Sequence, residues 1–130
     1  MKRILVVDDQ AMIRQLLEIS LRAADRQIVL AESGEQALAL ALVEEQPFNL
    51  VIMDIMMPGG MDGFETIACL RSAPQLCRCP VLILTAKDQR AERERADALG
   101  VEGYLVKPFR LQDLQGQVEK LMAMPPTMPF

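Results

Sequence analysis

Ile4-Leu5-Val6-Val7-Asp8-Asp9 joins four consecutive apolar residues to two adjacent carboxylates. The run is far too short for a signal peptide or a membrane span, and it suits a strand covered on both faces. The same form recurs at Ile28–Ala31, Leu50–Met53, Val81–Leu84 and Tyr104–Val106. Between these runs lie segments with a helical period. Positions 13, 16, 17, 20, 21 and 24 are apolar except for Ser20, which predicts one buried stripe. Ala37, Leu38, Ala41 and Leu42 form a second stripe, and Leu111, Leu114, Val118 and Leu121 a last one. Gly100 follows Ala98-Leu99, where a helix favours a left-handed residue. Pro47 and Pro80 stand just ahead of strands, where a missing N–H costs least. Strands alternating with helices predict an α/β fold, a parallel sheet with right-handed crossovers and helices on both faces.

The composition narrows the chemistry. The 130 residues suit one domain, half of them are hydrophobic, and the net charge is −4. That balance argues against non-specific binding to nucleic acid or to an anionic membrane. With no histidine there is no Ser-His or Cys-His pair, no His-ligated zinc and no histidine pH switch. Three cysteines, Cys69, Cys77 and Cys79, do not make a disulfide framework, and Cys77-Arg78-Cys79 falls short of a four-ligand metal site. The expected address is the cytoplasm. The segment after Met122 carries three prolines, so residues 1–122 are expected to fold and 123–130 to form a tail or the start of a linker.

In an open parallel sheet, ligands bind beyond the carboxyl ends of the strands. The polar residues that follow the apolar runs are therefore informative. Asp8 and Asp9 follow the first, Asp54 the third, Thr85 the fourth and Lys107 the fifth. The second leads to Glu32-Ser33-Gly34, which reads as a helix start. An aspartate after a strand is most often a cap or turn former. Two in tandem are harder to explain that way, because they repel and only one cap is needed. Three converging carboxylates call for a cation, and hard oxygen ligands suit Mg²⁺. Lys107 offers a point charge to a phosphoryl oxygen and Thr85 a hydroxyl donor. Together these groups describe phosphoryl transfer onto an aspartate.

The chain from Lys2 to about Met122 resembles the receiver domains of bacterial two-component response regulators. The resemblance rests on Ile4-Leu5-Val6-Val7-Asp8-Asp9 with Arg14, Asp54-Ile55-Met56-Met57-Pro58, Met61-Asp62-Gly63, Thr85-Ala86 and Tyr104-Leu105-Val106-Lys107-Pro108-Phe109. It implies a flavodoxin-like five-stranded sheet in the order 2-1-3-4-5. It also implies that Asp54 is the phosphoacceptor, and that Mg²⁺ is held by Asp8, Asp9, Asp54 and the backbone carbonyl of Met56. Lys107 would pair with the acceptor, with a cis bond to Pro108. Thr85 and Tyr104 would shift together on phosphorylation and remodel the face of the fourth helix, fifth strand and fifth helix. The implied partners are a sensor histidine kinase or phosphotransfer protein, a downstream effector on that face, and a second copy in a phosphorylation-dependent dimer. DNA would not be bound by this domain. Self-directed phosphotransfer and dephosphorylation would be its only catalysis.

Two departures stand out. Gly59 and Gly60 separate Pro58 from Met61-Asp62-Gly63, one residue more than the family usually has, which predicts a longer, permissive and mobile loop. Met56 and Lys87 occupy positions that, by the resemblance, flank the acceptor and in the family influence loss of the phosphoryl group. Apolar Met56 is expected to shield it, having no group to orient water. The charged stretch Asp88–Asp97 reads as a solvated helix with pairs such as Arg90–Glu94, some of which could select a partner. A rival is an aspartate-nucleophile phosphatase of the haloacid-dehalogenase type, but its second aspartate would fall at Met56. A dinucleotide fold is excluded because Asp8-Asp9-Gln10 stands where a glycine-rich turn would be needed. No output module follows, which leaves a stand-alone receiver or the front of a longer chain.

Overall fold

The computed structural model describes residues 2–43, 47–72, 79–86 and 89–123. Five strands alternate with five helices: β1 (Lys2–Val7), α1 (Ala11–Leu21), β2 (Arg26–Ala31), α2 (Gly34–Val43), β3 (Leu50–Asp54), α3 (Gly63–Arg71), β4 (Val81–Thr85), α4 (Arg90–Ala98), β5 (Gly103–Val106) and α5 (Leu111–Met122). The strands form one sheet in the order β2-β1-β3-β4-β5, and every neighbouring pair is parallel. This is the doubly wound order expected from the resemblance.

Strand alternation divides the interior into two clusters. Ile4, Val6, Leu50, Ile52, Leu82 and Leu84 face one way and meet Leu17 and Leu21 of α1 and Leu114, Val118 and Leu121 of α5. Leu5, Val7, Val51, Met53, Val81 and Ile83 face the other way, against Ala37 and Ala41 of α2, Phe64, Ile67 and Leu70 of α3, and Ala96 of α4. The three central strands are therefore apolar on both faces. The edge strands β2 and β5 are only partly covered.

The helical stripes are narrower than the sequence suggests. In α1, Leu17 and Leu21 are buried, but Leu16 is exposed and Ala24 lies beyond the helix end. In α2 the small residues Ala37 and Ala41 pack with the sheet, Gly34 abuts Thr66 of α3 and Met61, and Leu42 is exposed. In α5 Leu114, Val118 and Leu121 are buried while Leu111 is largely exposed. A helix lying on a flat sheet buries fewer positions than one inserted among other helices, and residues at the rim of the stripe fall outside.

Local signals hold at the helix ends. Ser33 caps α2, its hydroxyl accepting from the backbone N–H of Gln36 at 3.1 Å. Gly100 follows the last turn of α4 with φ +71°, the left-handed residue expected there. Cys79 is buried just ahead of β4, where loss of solvent pushes its thiol up to about 12, and Cys69 is exposed on α3. Cys77, Arg78, Lys87, Asp88 and the tail from Met124 lie outside the described residues.

One glycine controls the approach of α3 to the end of β3. A Cβ on Gly63 would collide with the backbone carbonyl of Asp54 and come within 2.8 Å of the Ile55 Cα. Both obstacles are backbone, so nothing nearby can yield cheaply. Gly63→Ala is expected to cost roughly 2 kcal/mol in a urea melt, in the range for overpacked interiors. A loss below a few tenths would show that α3 can move away from β3.

Candidate functional site

Parallel strands all end on the same edge, and here four of them deliver polar side chains to it. Asp54 is the last residue of β3 and Thr85 the last of β4, while Asp8 follows β1 and Lys107 follows β5. Asp8, Asp54 and Thr85 are buried; Asp9 is exposed. One carboxylate oxygen from each of Asp8, Asp9 and Asp54 lies within 4.8 Å of the others. An all-oxygen set with one member open to solvent has the donor chemistry of a hard divalent cation. Neither Cys69 nor Cys79 joins this cluster among the described residues.

Lys107 places a positive charge beside two members of the cluster. Its ammonium lies 3.0 Å from Asp8 Oδ2 and 3.5 Å from Asp54 Oδ1, with only 17% of its side chain exposed. Its backbone N–H donates to the Thr85 carbonyl at 2.7 Å, and the Lys107–Pro108 bond is cis. The sequence points to Asp54 as the lysine's partner, but Asp8 is nearer. Asp8 does two jobs at once: its Oδ1 accepts from the Gln10 N–H at 2.9 Å at the start of α1, while its Oδ2 holds Lys107. Arg14 adds a second positive charge, donating to the Asp8 carbonyl at 2.7 Å. The carboxylate that forms the turn and the one that pairs with the lysine are the same residue.

The electrostatics follow from this crowding. Burial raises the Asp54 carboxyl, the Asp8 charge raises it further, Lys107 pulls it back and Asp9 pushes it up again, leaving it at about 6. At neutral pH most of Asp54 is therefore ionised and able to act as a nucleophile.

Thr85 and Tyr104 lie on the other side of the sheet. Alternation gives Thr85 the direction of Val81 and Ile83, toward α4, and Tyr104 packs against that same cluster. The Thr85 hydroxyl faces Glu92 of α4, at 3.4 Å from Oε1. The Arg93 guanidinium stacks over the Tyr104 ring, 4.4 Å from its centre. These α4 contacts lie in a run whose sequence reads as a solvated charged helix, with no sign of contacts to Thr85 or Tyr104. Arg90–Glu94 fits that expectation, with a 3.0 Å pair on an exposed face.

Met56 is half exposed just beyond Asp54. The glycine loop that follows is fastened at its far end: the Met61 N–H donates to Glu35 Oε1 at 2.8 Å, and this bond lowers the Glu35 carboxyl below its usual range. Gly60 makes room for the contact, since a Cβ there would sit 2.6 Å from the same oxygen. Asp62 then opens α3 with a reciprocal capping box to Glu65, which gives this residue a structural role. The loop expected to be loose is thus tied to α2 and α3. Glu35 carried no sequence signal beyond its place in a first helical turn.

Residues 4–119 match the family described as "Response regulator receiver domain", and the chain belongs to that family. It is a two-component response regulator receiver domain, of a family whose members are signalling switches rather than conventional enzymes. The transcriptional regulatory protein ResD of Bacillus subtilis strain 168 is 38% identical over 92% of this chain and 48% of its own length. The chain spans about half the length of such transcriptional-regulator relatives. Among solved structures, chemotaxis protein CheY4 of Vibrio cholerae superposes with a TM-score of 0.85 at 33% identity, covering 93% of this chain and 98% of that one. The response regulator TrrA of Thermotoga maritima, in complex with Mg²⁺-BeF, matches with a TM-score of 0.78 at 36% identity, over 93% and 99% of the two chains. The phosphatase alternative gains no support from these matches. No helix among the described residues is long and apolar enough to cross a membrane.

The raised Asp54 carboxyl has a stability consequence. Its folded-state value lies above the ordinary 3.8, so ionising it costs more in the folded chain than in the unfolded one. The penalty is absent below pH ~4, grows as pH rises toward ~6, and is complete above that. In chelator-containing buffer, Asp54→Asn should therefore be more stable than wild type by about 1–2 kcal/mol above pH ~6, allowing for solvent screening. The difference should vanish below pH ~4. Paired urea melts across this range measure it, and a gain independent of pH would mean that Asp54 is not strained by its ionisation.

Proposed function

We propose that residues 1–122 form a phosphorylation-controlled switch in the cytoplasm, with Asp54 as phosphoacceptor. An Asp54 carboxylate oxygen attacks phosphorus, the bond to the donor breaks, and its electron pair leaves with the donor. That donor is the phosphohistidine of a sensor kinase or phosphotransfer protein, or a small acyl phosphate. Asp8, Asp9, Asp54 and the Met56 carbonyl would hold Mg²⁺, which when bound offsets negative charge on the phosphoryl oxygens. Lys107 would exchange part of its pairing with Asp8 and Asp54 for a phosphoryl oxygen. Thr85 would donate its hydroxyl to another, and Tyr104 would follow. The α4/β5/α5 face would then change its affinity for an effector or for a second copy of the chain.

The observation that carries this proposal is the ammonium of Lys107 placed 3.0 and 3.5 Å from two of three clustered carboxylates. Such a group offers an anionic ligand both a positive side chain and carboxylates able to hold a cation. The Mg²⁺-BeF complex of the similar TrrA supports the choice of probe.

Wild type incubated with Mg²⁺ and beryllofluoride should show shifted amide resonances at the strand ends and along α4, and Asp54→Ala should show none. An unresponsive wild type would sink the proposal. A second measurement concerns lifetime. Met56 gives an approaching water no hydrogen-bonding group, so Met56→Asn should shorten the phosphoryl half-life several-fold after acetyl phosphate is removed. An unchanged or longer half-life would remove Met56 from that role.

A further inference from the structure

We infer that Glu92, in the first turn of α4, is a positioning residue that competes with the phosphoryl group for the Thr85 hydroxyl. This rests on the proposed roles of Asp54 and Thr85 and adds one group that engages the Thr85 hydroxyl before phosphorylation.

Three observations converge on it. The Thr85 hydroxyl donates to Glu92 Oε1 at 3.4 Å, a long bond for an O–H donor. The second oxygen of the same carboxylate, Oε2, is buried and has no hydrogen-bond partner among the described residues. Glu92 also lines a cleft of about 460 Å³ between the loop after β3 and α4, whose walls combine apolar Ile55, Met56, Pro58 and Phe64 with Asp62, Gln89 and Arg95. A carboxylate oxygen that is buried without a partner gains little from the mixed lining, so the hydroxyl contact on its sister oxygen matters despite its length.

A threonine hydroxyl has one proton to donate. While that proton points to Glu92 it is withheld from the edge of the sheet. When a phosphoryl oxygen on Asp54 takes it, Glu92 is left with neither oxygen bonded and is better hydrated outside the cleft. Glu92 stands on the first turn of α4, whose N-cap residue Gln89 makes no side-chain capping bond, so this turn is lightly held. Release of Glu92 therefore transmits a change of hydrogen-bond partner at Thr85 into a displacement at the start of α4. The contact is weak enough to exchange and specific enough to bias which acceptor Thr85 serves.

The test is a beryllofluoride titration at saturating Mg²⁺, read from amide resonances of residues 90–98. It compares wild type, Glu92→Ala and Glu92→Gln, and repeats the alanine change in a Thr85→Ala background. Loss of one modest hydrogen-bond competitor predicts that Glu92→Ala binds about threefold tighter than wild type. Glu92→Gln keeps a carbonyl acceptor for Thr85 and should restore wild-type affinity, although it lacks the charge. In the Thr85→Ala background the gain from Glu92→Ala should disappear. A gain in Glu92→Gln equal to that in Glu92→Ala would assign the effect to charge alone and overturn the inference. So would unchanged or weaker binding by Glu92→Ala, or a gain that survives without Thr85. If wild type itself fails to respond, or Asp54→Ala still responds, the proposed role of Asp54 fails first and this inference falls with it.

Discussion

Three carboxylates held with their oxygens inside 4.8 Å of one another, two of them on buried residues, repel strongly enough to need a dedicated framework. The parallel sheet supplies it. Every strand runs the same way, so the residues that leave β1, β3 and β5 emerge on one edge without any loop having to fold back. The ladder fixes their spacing: β1 pairs with β3 through Val7 and Met53, and β3 with β4 through Asp54 and Leu84. Lys107 and Arg14 then offset part of the repulsion, one at the side chains and one at the Asp8 backbone. The apolar runs in the central strands are what keep this unfavourable cluster in place.

Around that cluster the side chains do more than one task each. Asp8 starts a helix with one oxygen and holds a lysine with the other. Asp62 caps α3 while lying 4.0 Å from Arg95 of α4, whose guanidinium also stacks 4.6 Å over the Phe64 ring. Glu35 reaches from α2 to fasten the loop that leaves Asp54. The loop after β3 is therefore braced from α2, α3 and α4. Reorganisation of α4 would be felt at the loop as well as at Thr85.

Much of this was legible in the sequence because it depends on local order. The apolar runs marked the strands, and the residues directly after them marked the site. Gly100 announced a helix end, and Ser33 marked a helix start. What stayed hidden depends on contacts made across the fold. Glu92 sits in a run of alternating charges whose periodicity gives no hint that one carboxylate turns inward, because that is decided by where β4 ends relative to α4. Glu35 belongs to no motif in the sequence, and its contact exists only because the loop after β3 reaches it. The preference of Lys107 for Asp8 over Asp54 is a matter of half an ångström between residues 99 and 53 positions away. Leu16, Leu42 and Leu111 were assigned to the interior by period alone, which cannot say how wide a stripe the sheet will cover.

The sheet also works as a partition. Its α1/α5 side backs the strand ends that carry the carboxylates and the lysine, while its α2/α3/α4 side backs Thr85, Tyr104 and the cleft under α4. A single layer of backbone separates the two, and odd and even strand positions belong to different sides. Packing behind the acidic cluster and packing behind Thr85 can therefore be perturbed separately, because alternate residues of the same strand contact different helices.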